Sequence, residues 1–170
     1  MVRVGNGDLA AFEELVHRNQ TSAWSLAFHC LSDPVEAEDV VQEAFLRLLK
    51  SAPRYHPTAT FRTYFSRIVV RLCLDFRSKK RPVYCETMPE SVDVENNPES
   101  LLQKKETADK LKRALADLPV TQRIAFLLRH VEGFTYSEIA EVMDISSKAV
   151  DSLLQRGRQA LSTQLRFFSK

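Results

Sequence analysis

Residues 135–161, TYSEIAEVMDISSKAVDSLLQRGRQAL, contain the signals of two short helices separated by a tight turn. Thr135 and Glu138 have the spacing of a capping box, and Ser146 is a preferred N-terminal cap, so each predicts a helix start. Asp144 falls in the turn, where aspartate tolerates the left-handed backbone conformation. Five apolar residues fall where the two helices would meet each other and the core: Ile139, Met143, Ile145, Val150 and Leu153. This pattern is typical of a helix-turn-helix, and a plain helical hairpin is the alternative.

The second of these helices carries polar and basic residues that favour DNA binding. The N-terminus of such a helix offers backbone amides to a phosphate, and its side chains reach base edges in the major groove. Lys148, Asp151 and Gln155 have i, i+3, i+7 spacing, which places them on one face. Arg156 and Arg158 come later, where the helix would leave the groove and meet phosphates. The predicted DNA contacts are Ser146, Ser147, Lys148, Asp151, Ser152, Gln155, Arg156 and Arg158.

Helix signals continue towards the N-terminus, whereas strand signals are weak. Asp8 precedes an amphipathic stripe, and Asp33, followed by proline and then by Glu36, predicts a second helix start. A third helix is expected from about Phe61 to Lys80, after a loop over residues 53–60. Its apolar stripe consists of Phe61, Phe65, Ile68, Leu72 and Phe76.

The second half of the chain is also helical in pattern. Leu118-Pro119 interrupts one helix, and the helix that follows is expected to end at Gly133. The predicted fold class is all-α, with two small helical domains joined by a flexible linker. The expected boundaries are residues 1–80 for the first domain, 81–98 for the linker and 99–170 for the helix-turn-helix domain.

The net charge of +2 hides blocks of opposite charge. Residues 54–81 hold eight Arg or Lys and one acid, and residues 145–170 hold five bases and one acid. Between them, residues 82–100 hold five acids, no base and three prolines, which keep a segment solvated and non-helical. Two basic blocks around an acidic spacer predict two contacts with a polyanion, and a solvated charged surface is the alternative.

Composition excludes several other classes of protein. The apolar runs are too short to span a bilayer, and the first residues do not have the pattern of a secretory signal. Three cysteines without metal-ligand spacing indicate a reducing compartment, with Cys30 and Cys73 expected to be buried. The histidines are scattered, and we find no nucleophile–base pair or glycine-rich phosphate loop. We therefore expect a cytoplasmic protein that is not an enzyme and needs no cofactor or metal.

Three stretches together resemble one family. They are AEDVVQEAFLRLL at residues 37–49, FRTYFSRIVVRLCLDFRSKKR at residues 61–81, and the longer stretch at residues 115–161 that includes the helix-turn-helix. Their order and spacing resemble those of the extracytoplasmic-function sigma factors, group 4 of the sigma-70 family of bacterial RNA polymerase specificity subunits. The resemblance implies a protein that binds core RNA polymerase and directs promoter-specific transcription initiation.

The resemblance also implies roles for particular residues. The first stretch resembles the helix that binds the β′ coiled coil, and its matching polar positions are Asp39, Gln42, Glu43 and Arg47. The third resembles the domain that reads the minus-thirty-five element and contacts the β flap. The second, with the loop before it, resembles the part that binds and melts the minus-ten element. The residues expected there are Arg54, Tyr55, His56, Arg62, Tyr64, Arg67, Arg71, Arg77, Lys79 and Lys80. Tyr55 and Tyr64 are the candidates for stacking on unpaired bases.

Three positions depart from the family pattern, and two other functions stay open. Asp151 and Leu153 stand where the family often has a basic residue, and Arg71 stands where it often has asparagine. One alternative function is a stand-alone helix-turn-helix regulator that binds operators as a dimer. The other is a nucleic-acid enzyme that uses the acids at positions 36, 38 and 39 with a metal. Many members of the resembled family are held by an anti-sigma factor, which makes such a protein a third candidate partner beside polymerase and promoter DNA.

Overall fold

The computed structural model describes residues 1–79 and 113–167, and within these ranges the regular structure is helical, with no strand. The helices are α1 (Val2–Gly5), α2 (Leu9–Leu31), α3 (Pro34–Ser51), α4 (Phe61–Lys79), α5 (Val120–His130), α6 (Tyr136–Met143) and α7 (Ser147–Phe167). A 3-10 turn at Ala52–Arg54 follows α3, and residues 113–116 are also helical. The all-α class is confirmed, whereas the expected linker at residues 81–98 lies outside the described residues.

The helices begin where the capping signals predicted them. The Asp33 carboxylate accepts hydrogen bonds from the backbone amides of Val35 and Glu36 at 2.9 and 3.0 Å. At α6 both halves of the capping box are present, because Thr135 Oγ1 accepts from the Glu138 amide and Glu138 accepts from the Thr135 amide. Asp8 and Ser146 cap α2 and α7 in the same way, each accepting from the backbone amide three residues later. These side chains satisfy amides that the first turn of a helix leaves unpaired.

The two turns around α6 need a left-handed backbone. Asp144, between α6 and α7, has φ 56° and ψ 47°, which confirms its predicted place in the turn. Gly133 has φ +70°, but α5 ends at His130, slightly before the expected end at Gly133. The reason is that the chain leaves the helix and wraps around its end, so that the Phe134 amide donates to the Leu128 carbonyl at 2.9 Å.

The first domain is built on α2, α3 and α4, which pack against one another. Phe45 of α3 meets Phe65 of α4 with ring centroids 4.8 Å apart. Cys30 and Cys73 are fully buried where α2 meets α4, as expected. A hydrogen bond with Cys30 and burial raise the pKa of the Cys73 thiol, so it stays protonated. All five residues of the predicted α4 stripe lie in or against this core: Phe61, Phe65, Ile68, Leu72 and Phe76.

The hydrophobic core continues into the C-terminal half of the chain. Helix α6 packs on α4, and α5 packs on α2. Phe134, Ile139 and Val142 belong to the same buried cluster as the residues of α2, α3 and α4. The helix-turn-helix therefore docks directly on the helix that carries the first basic block.

Candidate nucleic-acid interface

The exposed face of α7 carries the residues predicted to reach DNA bases. Lys148, Asp151 and Gln155 are all exposed, whereas Val150 and Leu154 on the opposite side are fully buried. Because the buried side is fixed against the core, the rotation of the helix is fixed too, and these three side chains share one solvent-facing stripe. Ser146 caps the helix, and Ser147 lies beside Lys148 at its exposed start.

The two arginines further along α7 have partners within the domain. Arg156 donates from Nε and Nη2 to the carbonyl and hydroxyl oxygens of Ser152, both at 3.2 Å. Arg158 Nη2 donates to the Tyr136 hydroxyl at 3.1 Å and so links α7 to the start of α6. Burial, followed by the charges of Arg158 and Arg129, lowers the pKa of His130 at the end of α5. The surface at this end of α7 is therefore basic, and His130 stays neutral near pH 7.

Tyr55, in the loop before α4, pairs with Tyr64 in the first turn of α4. The rings of Tyr55 and Tyr64 meet edge to face with centroids 5.0 Å apart, and both are half-buried. The Tyr64 hydroxyl donates to Ser51 Oγ at 2.9 Å, which ties the start of α4 to the end of α3. Arg54 and His56 on either side of Tyr55 are exposed. The structure thus brings together the loop residues and Tyr64, with Tyr64 anchored against the first domain.

Several basic residues of α4 are exposed, and some of them also contact other parts of the chain. Arg71 is exposed, and Arg77 is exposed with Nη1 3.3 Å from the Cys30 carbonyl. Arg62 and Arg67, whose side chains are 52% and 43% exposed, contact acids of the C-terminal domain. Lys79 is the last residue of α4, and Lys80 lies outside the described residues. The expected minus-ten surface is therefore partly covered by the helix-turn-helix domain.

The predicted polymerase-binding residues share the outer surface of α3. Asp39, Gln42 and Arg47 are exposed, and Arg47 Nε donates to Glu43 Oε1 at 2.8 Å. That hydrogen bond lowers the pKa of Glu43. The Gln42 side-chain amide lies 3.5 Å from Glu38 Oε1. The four residues thus form one polar patch on a helix whose other side is buried.

An apolar feature beside this patch was missed by the sequence analysis. Leu46 is 50% exposed, one turn after Gln42, and Trp24 of α2 is 38% exposed. A groove of about 560 Å³ lies between α2 and α3, lined by Val16, Gln20, Thr21, Trp24, Glu38, Val41, Gln42 and Phe45. The sequence did contain a signal for this feature. Leu46 is a large apolar residue at a position that falls among the polar residues of α3.

Arg123 was also missed, because it lies on the apolar side of α5. Its Nη1 donates to the His29 carbonyl at 3.1 Å and to Ser32 Oγ at 3.2 Å, at the end of α2. Its Nη2 donates to the Leu118 carbonyl at 3.2 Å and also to the Ala116 carbonyl. Burial, followed by the charge of Arg77, lowers the pKa of this guanidinium. Arg123 therefore binds the two domains together through one buried charge.

The described ranges, residues 1–79 and 113–167, hold no candidate metal site. No three His, Cys, Asp or Glu side chains gather there in a way that could hold a metal ion, and this includes the acids at positions 36, 38 and 39. None of the helices described is long and apolar enough to cross a membrane.

Two family models match the chain, one after the other. The model of sigma-70 region 2 matches residues 15–83, which include most of α2 and all of α3 and α4. The model of sigma-70 region 4 matches residues 108–161, which include the helix-turn-helix. The first match therefore covers the surfaces of α3 and α4, and the second covers the exposed stripe of α7.

Named relatives align with nearly the whole chain. This chain is 32% identical over 166 residues to the ECF RNA polymerase sigma factor SigE of Mycolicibacterium smegmatis, and the alignment covers 94% of this chain and 64% of that protein. It is 30% identical to the ECF RNA polymerase sigma-E factor of Escherichia coli K12, covering 96% and 91%. For the ECF RNA polymerase sigma factor SigW of Bacillus subtilis the identity is 28%, covering 96% and 94%. The chain thus spans nearly all of the last two proteins and less than two thirds of the first.

Two solved structures share the fold. One is the sigma factor RpoE of Bartonella quintana in complex with the anti-sigma factor NepR, with a TM-score of 0.75, 18% identity, and coverage of 92% of this chain and 97% of that one. The other is CnrH in complex with the cytosolic domain of CnrY, with a TM-score of 0.70, 23% identity, and coverage of 96% and 93%.

Proposed function

The chain belongs to the sigma-70 family, as an extracytoplasmic-function sigma factor, and from this premise we propose how it directs RNA polymerase to promoters and starts transcription. The observation that carries the proposal is the stripe of Lys148, Asp151 and Gln155, which α7 presents to solvent in the same chain as the basic helix α4. A stand-alone regulator would leave the region 2 match unexplained.

Helix α7 reads the minus-thirty-five element. Its exposed stripe lies near the capped N-terminus, the part of a recognition helix that meets base edges in the major groove. Lys148 and Gln155 can donate to bases, and Asp151 can accept from a cytosine amino group. Arg156 and Arg158, one to two turns later, contribute phosphate contacts that raise the affinity for every sequence.

The loop at residues 54–56 and helix α4 act on the minus-ten element. Melting a duplex exchanges base stacking for contacts with the protein, and an aromatic face offers about 1–3 kcal/mol per stacked base. Tyr55, in the loop, and Tyr64, behind it, provide such faces, while the arginines of α4 neutralise the strand. We assign the affinity to the arginines and the capture of an unpaired base to the loop.

The outer surface of α3 binds core RNA polymerase, through the β′ coiled coil. A helical partner needs an exposed polar patch for orientation and an apolar anchor for affinity. Asp39, Gln42 and Glu43 supply the first, while Leu46 and the groove beside Trp24 supply the second. The β flap is the proposed partner of the C-terminal domain.

The protein thus acts as a transcription factor in the cytoplasm, where RNA polymerase is found, and has no catalytic role of its own. An anti-sigma factor is a further proposed partner. Its support is the Bartonella quintana sigma factor of the same fold, which was solved with one.

Run-off transcription tests the proposed function. Core polymerase should produce specific transcripts from genomic fragments only when the chain is added. Asp39→Lys combined with Glu43→Lys should remove both the transcripts and co-purification with core enzyme, because the patch is reversed in charge. Glu141→Lys is the matched control, since Glu141 is an exposed acid on α6, away from α3. Transcripts that persist with the double variant would contradict the assignment of α3.

A further inference from the structure

Two arginines of α4 are already paired with carboxylates of the C-terminal domain. Arg62 Nη2 donates to Glu132 Oε2 at 3.0 Å and also to the Glu132 carbonyl oxygen. Arg67 Nη2 lies 3.5 Å from Asp144 Oδ1. Glu132 comes just before α6 and Asp144 just after it. The contact of Glu132 with Arg62 is the stronger one, because the Glu132 side chain is 17% exposed, whereas the Asp144 side chain is 80% exposed.

The contact is supported by burial as well as by charge. The Arg62 guanidinium lies 4.3 Å above the ring centre of Phe134, which is fully buried. The Glu132 side chain is only 17% exposed, so solvent screens its charge less than at an open surface. Arg123 fixes the neighbouring contact between α5 and the end of α2. The docked position of α6 therefore rests on apolar contacts, buried hydrogen bonds and ion pairs together.

We infer that the C-terminal domain inhibits the chain's own binding of single-stranded promoter DNA by occupying Arg62 and Arg67. A guanidinium binds a carboxylate and a phosphate with similar geometry, so an acid beside α6 and a phosphate of the melted strand compete for one set of donors. Helix α6 also packs against α4, the helix that carries these two arginines. Binding of a phosphate at either arginine then requires that its contact with the acid be broken. This inference rests on the proposed role of α4 in binding the minus-ten strand.

Neutral variants of the two acids test the competition in the full chain. Glu132→Gln and Asp144→Asn keep the size of each side chain, and asparagine also tolerates the left-handed turn at position 144. Each removes the charge that competes with phosphate. Glu141→Gln is the matched control, because it removes one acidic charge from the exposed side of α6, between the two acids in sequence.

The probe is a short fluorescent single-stranded DNA of mixed sequence, and its dissociation constant is measured by anisotropy at low salt. Glu132→Gln should bind this DNA about two- to fivefold more tightly than the control variant does, the effect of losing a partly exposed ion pair. Asp144→Asn should change the affinity in the same direction by less, because the Asp144 side chain is 80% exposed. Equal affinity for the control and the two variants would overturn the inference. If Glu132→Gln does not fold, Asp144→Asn decides alone.

The outcome is separable from that of the proposed function. Tighter DNA binding without polymerase-dependent transcripts would support the competition and contradict the polymerase role. Specific transcripts together with unchanged DNA affinity would support the polymerase role and contradict the competition.

Discussion

Replacing Arg123 tests whether one buried charge holds the two domains together. The side chain is 5% exposed and donates four hydrogen bonds, two of them to residues at the end of α2. Arg123→Met removes all four and leaves the carbonyls of His29 and Leu118 without this donor. A buried carbonyl that loses its partner costs about 1–3 kcal/mol, and the relief of a buried charge offsets part of the sum. We expect the free energy of unfolding to fall by about 2–4 kcal/mol.

Arg123→Lys and Arg156→Met make the result specific. A lysine keeps the charge but cannot span acceptors on both sides of the guanidinium, so about half of the loss should remain. Arg156 bonds only within α7, to Ser152, and is exposed, so its replacement should change stability by no more than about 0.5 kcal/mol. Urea unfolding followed by circular dichroism gives all three values. A loss below about 1 kcal/mol for Arg123→Met, or a lysine variant as stable as the native chain, would refute the reasoning.

Three further predictions concern the surfaces and the effect of pH. Asp151→Lys should change the preferred minus-thirty-five sequence and strengthen non-specific binding, whereas Arg158→Ala should weaken binding to all sequences alike. Selection from a promoter library distinguishes the two effects. An altered sequence preference for the arginine variant would mean that α7 enters the groove in a different rotation. The polymerase-bound chain should show a larger domain separation in small-angle scattering than the free chain, because α4 must be released; one fixed separation would contradict this. The folded-state pKa of His130 is lowered, so the unfolded chain binds more protons below about pH 6.5 and stability falls with falling pH. His130→Gln should remove part of that fall in denaturation measured over a pH series, and an unchanged slope would exclude His130 as its source.

Short-range signals made the helices predictable. A cap works through the backbone amides of the next three residues, so Asp33 and Thr135 could be assigned from their immediate neighbours. The exposed face of α7 followed from helical periodicity for the same reason. The end of α5 was less accurate, because the left-handed Gly133 lies in the turn that wraps the helix rather than beside its last residue.

Contacts between distant parts of the chain were not predictable in this way. Arg62 and Glu132 are 70 residues apart, and the helical pattern around each of them does not indicate that they meet. Arg123 has the same difficulty, because a buried arginine interrupts an apolar stripe and gives no hint of its acceptors on α2. The groove beside Trp24 depends on how α2 crosses α3, which periodicity does not specify. Surfaces formed by a single helix could therefore be predicted from the sequence, whereas contacts between two helices were missed.

The docking of α6 on α4 has an energetic reason that bears on how it can be released. A small helical domain buries a limited share of its surface, so it gains stability by sharing a core with a neighbour. Phe134 and Ile139 lie in that shared core, and exposing one such side chain costs about 1.5–3 kcal/mol. DNA phosphates can replace the acids at Arg62 and Arg67, but they cannot cover an apolar ring. Full release of the domain therefore requires a partner that covers this apolar surface as well, which another protein surface can do and DNA alone does not.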